Sequence, residues 1–394
     1  MSGIYVQREE YLRTLKSYRK NPEFVKVITG VRRCGKSELM KQFCAAVSKS
    51  EPKTQVIRLD LEEKRYEVDS ERSLYDYLSR AIERKGPVIA LDEVQVVKGW
   101  EKVVEAIRLA HNADIYVTGS NSETVSESLG THLTGRYVEI HILPFSFREF
   151  IVRYPVVDGM GYSGRLEQYI RYGGMPIVDL DDDGTKNRTV LRGLYDSVIN
   201  KDIRPGMEMN QQILDNITKF MFSNIGNLTS FNNIAKESFV TDPRTVEKYL
   251  GKLCGSFLFY RADRFDIVGK KHMRTNAKFY SVDNGFGEAV LTGSEYDKVS
   301  ALENAVFLEL LRRGYRVSVG SYRDNEVDFT AWKDGKPEFF QVSYNLNDAS
   351  TEREIRAFKS MGAGKRIVIA MEGDIPQDSN GIEFVKAEDF FLGV

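Results

Sequence analysis

The sequence predicts an α/β protein: a parallel sheet with helices on both faces, then a helical segment and a second α/β domain. Three observations predict this. Short apolar runs alternate with amphipathic stretches through the first third of the chain. A glycine-containing loop of the spacing G-x-x-x-x-G-K-[ST] lies between an apolar run and a helical stretch. A later apolar run ends in two adjacent carboxylates, Asp92 and Glu93.

Taken in order, residues 25–29 read as a strand and 36–48 as a helix; 55–59 is a strand, and 74–83 has helical spacing. A short buried strand at 88–91, a helix at 101–110 and strands at 115–118 and 137–143 complete the rhythm. Ser146 and Glu149 have capping-box spacing, so a helix is expected to start at Phe147. Asp181-Asp182-Asp183-Gly184 marks an exposed turn, and 189–254 reads as helical. Apolar runs at 279–282, 315–320, 327–332, 338–343 and 366–370 then alternate with helical stretches. A chain of 394 residues fits two or three domains. The expected divisions are 1–155 for the first α/β domain, 156–205 for a helical lid, 206–275 for a second helical segment and 276–394 for the last α/β domain.

Composition bounds the function classes. Lys and Arg number 56 against 57 Asp and Glu, so a basic coat over the whole surface is excluded and any nucleic-acid site must be a local patch. Cys34, Cys44 and Cys254 form no CxxC pair and no disulfide framework, which fits a reducing, cytoplasmic setting. Residues 1–20 are polar, so no signal peptide is expected, and no apolar run approaches the roughly 20 residues a membrane span needs. His111, His132, His141 and His272 have no metal-ligand spacing.

The loop Gly30-Val31-Arg32-Arg33-Cys34-Gly35-Lys36-Ser37 carries the strongest chemistry. Its glycines permit a tight turn whose backbone N–H groups point at phosphate oxygens, and the following helix adds its positive end. Lys36 is expected to reach the β- and γ-phosphates, and Ser37 to hold Mg²⁺. Gly30, Val31, Arg32, Arg33, Cys34, Gly35, Lys36, Ser37 and the following Glu38 form the expected nucleotide-binding set, with Asp92 completing the metal site. Glu93 is the expected catalytic carboxylate, polarising water for attack on the γ-phosphorus. Ser120 and Asn121, after the strand at 115–118, are candidate γ-phosphate sensors, with Thr118 a weaker one. Cys34, near a helix N-terminus, invites a lowered thiol pKa, although an incidental loop residue is the simpler reading.

These residues resemble an AAA+-type P-loop NTPase, with Walker A at Gly30–Ser37, Walker B at Leu91-Asp92-Glu93 and a sensor-like strand end at Thr118-Gly119-Ser120. More narrowly, the chain resembles a prokaryotic family of single-chain ATPases with a fused C-terminal domain of uncharacterised function. Thr134-Gly135-Arg136, Leu143-Pro144-Phe145-Ser146-Phe147-Arg148-Glu149-Phe150, Tyr172-Gly173-Gly174-Met175-Pro176 and Val282-Asp283-Asn284-Gly285 add to that resemblance. It implies ATP as the nucleotide; the sequence has no Asn-Lys-x-Asp guanine reader. Arg136 is a candidate arginine for the γ-phosphate, from its own chain or a neighbour, against the simpler reading of a surface salt bridge.

Residues 231–238 read as a short helix, with a second begun by Thr241 or Asp242 and Pro243, and a strand at 257–260. That order matches a winged helix. Residues 231–276 hold nine Lys/Arg against five Asp/Glu. Arg244, Lys248 and Lys252 recur every four residues on one helical face, and Lys270 and Lys271 fall in or after a wing, which makes these five candidate contacts to double-stranded DNA. Further on, Glu303, Asp328 and Gln341 resemble the acidic core of a restriction-endonuclease-like domain. Gln341 stands where that pattern has Glu and Ser343 where it has Lys, so a catalytically degenerate nuclease fold is expected; Lys336 and Arg353 are candidate stand-ins for the lysine.

The expected function is Mg²⁺-dependent ATP binding and hydrolysis that drives or gates a conformational change, in association with DNA. The alternatives are a slow nucleotide-gated switch acting on a protein partner and an ATP-regulated nuclease. No membrane partner is expected, and self-association is open.

Overall fold

A computed structural model describes residues 5–119, 135–157, 159–180, 185–205, 210–291, 297–323, 325–359, 361, 364–374, 376 and 381–394. The described chain divides into two compact units, one of Tyr5–Ile142 with Gly255–Phe257 and one of Leu143–Cys254 with Leu258–Val394. The first break thus falls at residue 142 rather than the expected 155. Among the described residues, no helix is long and apolar enough to cross a membrane.

The N-terminal unit begins with α1 (Glu9–Ser17) and continues β1 (Val25–Thr29), α2 (Lys36–Ser50), β2 (Val56–Asp60), α3 (Glu71–Ala81), β3 (Val88–Asp92), α4 (Trp100–His111), β4 (Asp114–Gly119) and β5 (Tyr137–His141). The five strands pair in the order β2-β3-β4-β1-β5, and every pairing is parallel. Covered on both faces, β1, β3 and β4 are buried at every position rather than alternately. Val25, Val27, Leu59, Ile89, Leu91, Ile115 and Val117 build one core with Leu74 and Leu78 of α3 and Val104 and Ile107 of α4.

The C-terminal unit opens with α5 (Phe147–Arg153), whose Ser146–Glu149 capping box forms as the spacing predicts. Helices α6 (Gly161–Tyr172), α7 (Thr185–Val198, running into a π turn at Ile199–Ile203), α8 (Gln211–Ser223), α9 (Phe231–Glu237) and α10 (Pro243–Gly255) follow. Next come β6 (Phe259–Asp266), β7 (Lys271–Ser281), α11 (Asn284–Val290), α12 (Lys298–Arg312), β8 (Arg316–Tyr322), β9 (Asn325–Lys333), β10 (Lys336–Leu346), α13 (Asp348–Lys359), β11 (Lys365–Gly373), β12 (Ile382–Lys386) and α14 (Ala387–Leu392). Seven strands form one mixed sheet, β12-β11-β10-β9-β8-β6-β7. The β6–β7 hairpin, expected as a free wing, is one end of this sheet: β6 runs parallel to β8, with Phe265 opposite Gly320. The expected division at 275 therefore cuts through β7. The hairpin is too long and too apolar at Phe259, Ala262 and Phe279 to stand alone in water.

Candidate nucleotide site and acidic cluster

The first site grows from the end of β1. Gly30 has φ +146°, and a Cβ there would lie 2.4 Å from the Ile142 carbonyl oxygen, so only glycine lets the chain turn against β5. Gly35, at φ +106°, closes the loop and opens α2, whose first turn takes no side-chain cap. Those N–H groups are the orphan donors that make a helix start an anion site. Lys36 is buried, and its Nζ donates to the carbonyls of Gly30 at 3.0 Å and Val31 at 3.3 Å.

β3 delivers the acidic pair. Asp92 is buried, and its carboxylate accepts hydrogen bonds from the hydroxyls of Ser37 and Thr118. Burial pushes the Asp92 pKa up, and those two donors pull against it. Glu93 adopts φ +53° and lies 4.0 Å from Lys36 Nζ, so Lys36, Ser37, Asp92 and Glu93 gather at one strand edge. The Gln95 side-chain amide donates to the Glu93 carboxylate.

Thr118 is the residue that sequence reasoning underrated. Its hydroxyl donates to Asp92 and accepts the Glu93 N–H at 2.9 Å, so it fixes the backbone of one carboxylate and the side chain of the other. Ser120 and Asn121 lie outside the described residues. Arg32 faces Glu62 at 3.8 Å, Arg33 is exposed at φ +63°, and Glu38 is exposed and pairs with Lys41 at 3.7 Å. Burial pushes the Cys34 thiol up, against Lys36 and Arg8, which corrects the expectation of a lowered value.

Arg136 is placed at the far edge of the sheet. β1 and β5 pair Val25 with Tyr137 and Thr29 with His141, so Arg136 precedes the strand end remote from the loop. Five strand residues separate the two levels, about 16 Å. Its guanidinium is exposed and bonds Glu105 at 2.8 Å. This structure does not bring it to its own loop: the two lie at opposite ends of parallel strands.

In the C-terminal unit, Glu303 on α12, Asp328 on β9 and Gln341 on β10 do come together. Their centre is a residue the sequence did not flag: Lys278 on β7. Its Nζ is 2.8 Å from Glu326, 3.0 Å from Glu303 and 4.0 Å from Asp328. The Gln341 side-chain oxygen accepts the Asp328 N–H at 3.3 Å. Ser343 donates to the Asn345 carbonyl, Lys336 starts β10 in an exposed position, and the side chain of Arg353 lies outside the described residues.

The candidate DNA-contact residues fall on α10 and the hairpin. Asp242 accepts the Arg244 N–H at 3.0 Å, with Pro243 the first residue of the helix. Arg244 and Lys248 are exposed and Lys252 is half-buried. Lys270, at φ +51°, and Lys271 are exposed at the β6–β7 turn. Thr229, between α8 and α9, bridges antiparallel to Ala277 of β7.

Three of the motif stretches noted in the sequence meet at Asp283. Its buried carboxylate accepts the N–H of Gly174 at 2.7 Å and of Gly285 at 2.9 Å. Gly174 in turn accepts the Phe145 N–H at 2.8 Å. These stretches form a structural junction.

Residues 22–151 match an AAA domain, and residues 163–297 match a domain of unknown function, DUF8612. An uncharacterised protein of Haemophilus influenzae is 35% identical over a 406-residue alignment that spans the whole of both chains. The chain belongs to that protein's family. An uncharacterised protein of Methanocaldococcus jannaschii is 29% identical over 86% of this chain and 78% of its own. Among solved structures, the Thermotoga maritima RuvB Holliday junction branch migration motor matches at 14% identity and TM-score 0.34, over 65% of this chain and 90% of its own. The replication initiator DnaA bound to AMPPCP and single-stranded DNA matches at 13% and TM-score 0.32, over 64% and 88%. The AAA-domain match covers most of the N-terminal unit.

Proposed function

We propose that the N-terminal unit hydrolyses ATP to ADP and phosphate with Mg²⁺, and that turnover drives a conformational change in the C-terminal unit. The observation that carries this is the convergence of Lys36, Ser37, Asp92 and Glu93 at one strand edge. The donor set fits the magnesium triphosphate: the Ser37 hydroxyl and the Asp92 carboxylate, which meet in this structure, are hard oxygen ligands. Ser37 and Asp92 would hold the ion, which when bound neutralises charge on the β- and γ-phosphates. Lys36 exchanges its carbonyl partners for phosphate oxygens. Glu93 orients water and takes its proton as the water oxygen bonds the γ-phosphorus and the bridge to ADP breaks. Thr118 keeps Asp92 and Glu93 in place.

Association with double-stranded DNA is the reading we favour for the C-terminal unit. It is supported by the exposed Arg244 and Lys248 on a helix that follows the helix–bridge–helix order of a winged helix. A slow switch acting on a protein partner is the second reading, supported by the Gln95 amide that engages Glu93. Free cysteines at 34, 44 and 254 agree with a cytoplasmic setting.

Steady-state ATP turnover, with and without double-stranded DNA, tests these readings in the wild type and in Glu93→Gln. The expected result is turnover that DNA raises several-fold and that Glu93→Gln lowers at least 100-fold, the scale of a lost catalytic base. Equal turnover in Glu93→Gln removes Glu93 as the base. Slow turnover that ignores DNA transfers the assignment to the switch.

A further inference from the structure

The acidic cluster of the C-terminal unit contains its own cation. Lys278 is 4% exposed, with Glu326 at 2.8 Å, Glu303 at 3.0 Å and Asp328 at 4.0 Å. Burial disfavours its charge, but Glu303, Asp328 and Glu326 outweigh burial and hold the ammonium protonated well above its usual range. The three carboxylates come from two elements, α12 and β9, and Lys278 from a third, β7.

Several of the oxygens that a divalent ion would need are already engaged. Glu303 Oε1 accepts both Lys278 and the Tyr280 hydroxyl, the latter at 2.7 Å. Asp328 Oδ2 accepts the Val342 N–H at 2.8 Å, while Oδ1 faces Lys278. Gly226, at φ +74°, passes close by: a side chain there would crowd Glu303, with a Cβ 3.1 Å from its Oε1. A magnesium or manganese ion wants about six oxygens near 2.1 Å. Reaching these carboxylates at that distance would bring it against a buried ammonium. Among the described residues, no group of three or more His, Cys, Asp or Glu is arranged to hold a metal.

We propose that Lys278 takes the place of the metal: its ammonium holds Glu303, Glu326 and Asp328 together as a divalent cation would. The site therefore binds no Mg²⁺ and cuts no phosphodiester. The lysine missing after Gln341 is not restored in its nuclease role, since Lys278 sits where the ion would sit rather than beside it. What the cluster does is tie the β6–β7 hairpin to α12 and the rest of the sheet. This inference is independent of the ATPase reading, because it concerns only the C-terminal unit.

The test uses the full chain without nucleotide, followed by thermal unfolding and Mn²⁺ calorimetry. Wild type is expected to show no Mn²⁺ binding that Asp328→Asn removes and no change in the melting of the C-terminal unit. Lys278→Ala is expected to melt lower, to bind Mn²⁺ with at least tenfold higher affinity than wild type, and to regain most of its melting temperature in millimolar Mn²⁺. Adding Asp328→Asn to that variant is expected to abolish the gain. Lys278→Gln, which keeps a hydrogen-bond donor, carries the same comparison if the alanine variant does not fold. Two results overturn the proposal. One is Mn²⁺ binding or duplex cleavage by wild type that Asp328→Asn removes. The other is a folded Lys278 variant that gains no Mn²⁺ affinity.

Discussion

Arg8 is a single side chain with a reach into the nucleotide site. It is buried, its Nη1 donates to the Cys34 carbonyl at 3.2 Å, and its N–H bonds Gln42 of α2 at 3.1 Å. In a trans peptide the C=O and the next N–H point opposite ways. With the Cys34 carbonyl anchored on Arg8, the Gly35 N–H is directed to the other side of that peptide, the side that serves a phosphate. Arg8→Ala is expected to weaken ATP and ADP affinity alike by about tenfold, or about 1.4 kcal/mol, while kcat stays within about twofold. Fluorescent-nucleotide titration alongside turnover checks this, and Arg8→Lys should restore part of the loss. A lower melting temperature with unchanged affinity would leave Arg8 merely structural. None of this is legible in the sequence, because 26 residues separate Arg8 from Cys34. Lys36 and Ser37 are legible, since their chemistry depends on local spacing. Thr118 and Lys278 are not: each acquires its role from neighbours brought by other strands.

Among the elements, the junction at Asp283 explains stretches that the sequence shows without a reason. The Leu143–Phe150 stretch, Tyr172–Pro176 and Val282–Gly285 converge there, and two N–H groups depend on one carboxylate. Asp283→Ala leaves both buried and unpaired, at about 1–3 kcal/mol each. The C-terminal unit should therefore lose about 2–6 kcal/mol in urea unfolding, while nucleotide affinity of the N-terminal unit stays unchanged. Strand and helix positions were largely readable; β3, for one, is an unbroken apolar run up to Asp92. The partnership of the β6–β7 hairpin was not. A hairpin reads the same from sequence whether it stands free or joins a sheet, and only β8 beside it decides the matter.

For the whole molecule, the two units should answer acid in opposite senses. Burial and the charge of Lys36 lower the His141 pKa to about 4, so the unfolded chain takes a proton near pH 6.5 that the folded unit refuses until about 4. Its stabilising share is full above pH 6.5 and is lost as pH falls toward 4. Burial pushes Asp283 up to about 7, against its N–H donors, so the folded unit keeps a proton that the unfolded chain releases near pH 4. That share is present below pH 4 and is lost as pH rises toward 7. Calorimetric unfolding between pH 5 and 7 should flatten in slope for the N-terminal transition in His141→Phe and for the C-terminal one in Asp283→Asn. Unchanged slopes in both would refute the assignment.

The sequence alone determined the phosphate loop, the acidic strand end and the alternation that makes a parallel sheet, because each is written in residues close along the chain. Tertiary structure decided that Arg136 lies at the wrong end of its strand for its own loop, that Thr118 steadies both carboxylates, and that Lys278 fills the acidic cluster. Those outcomes depend on strand order and register, which bring together residues 25 or more positions apart and leave no trace in local spacing.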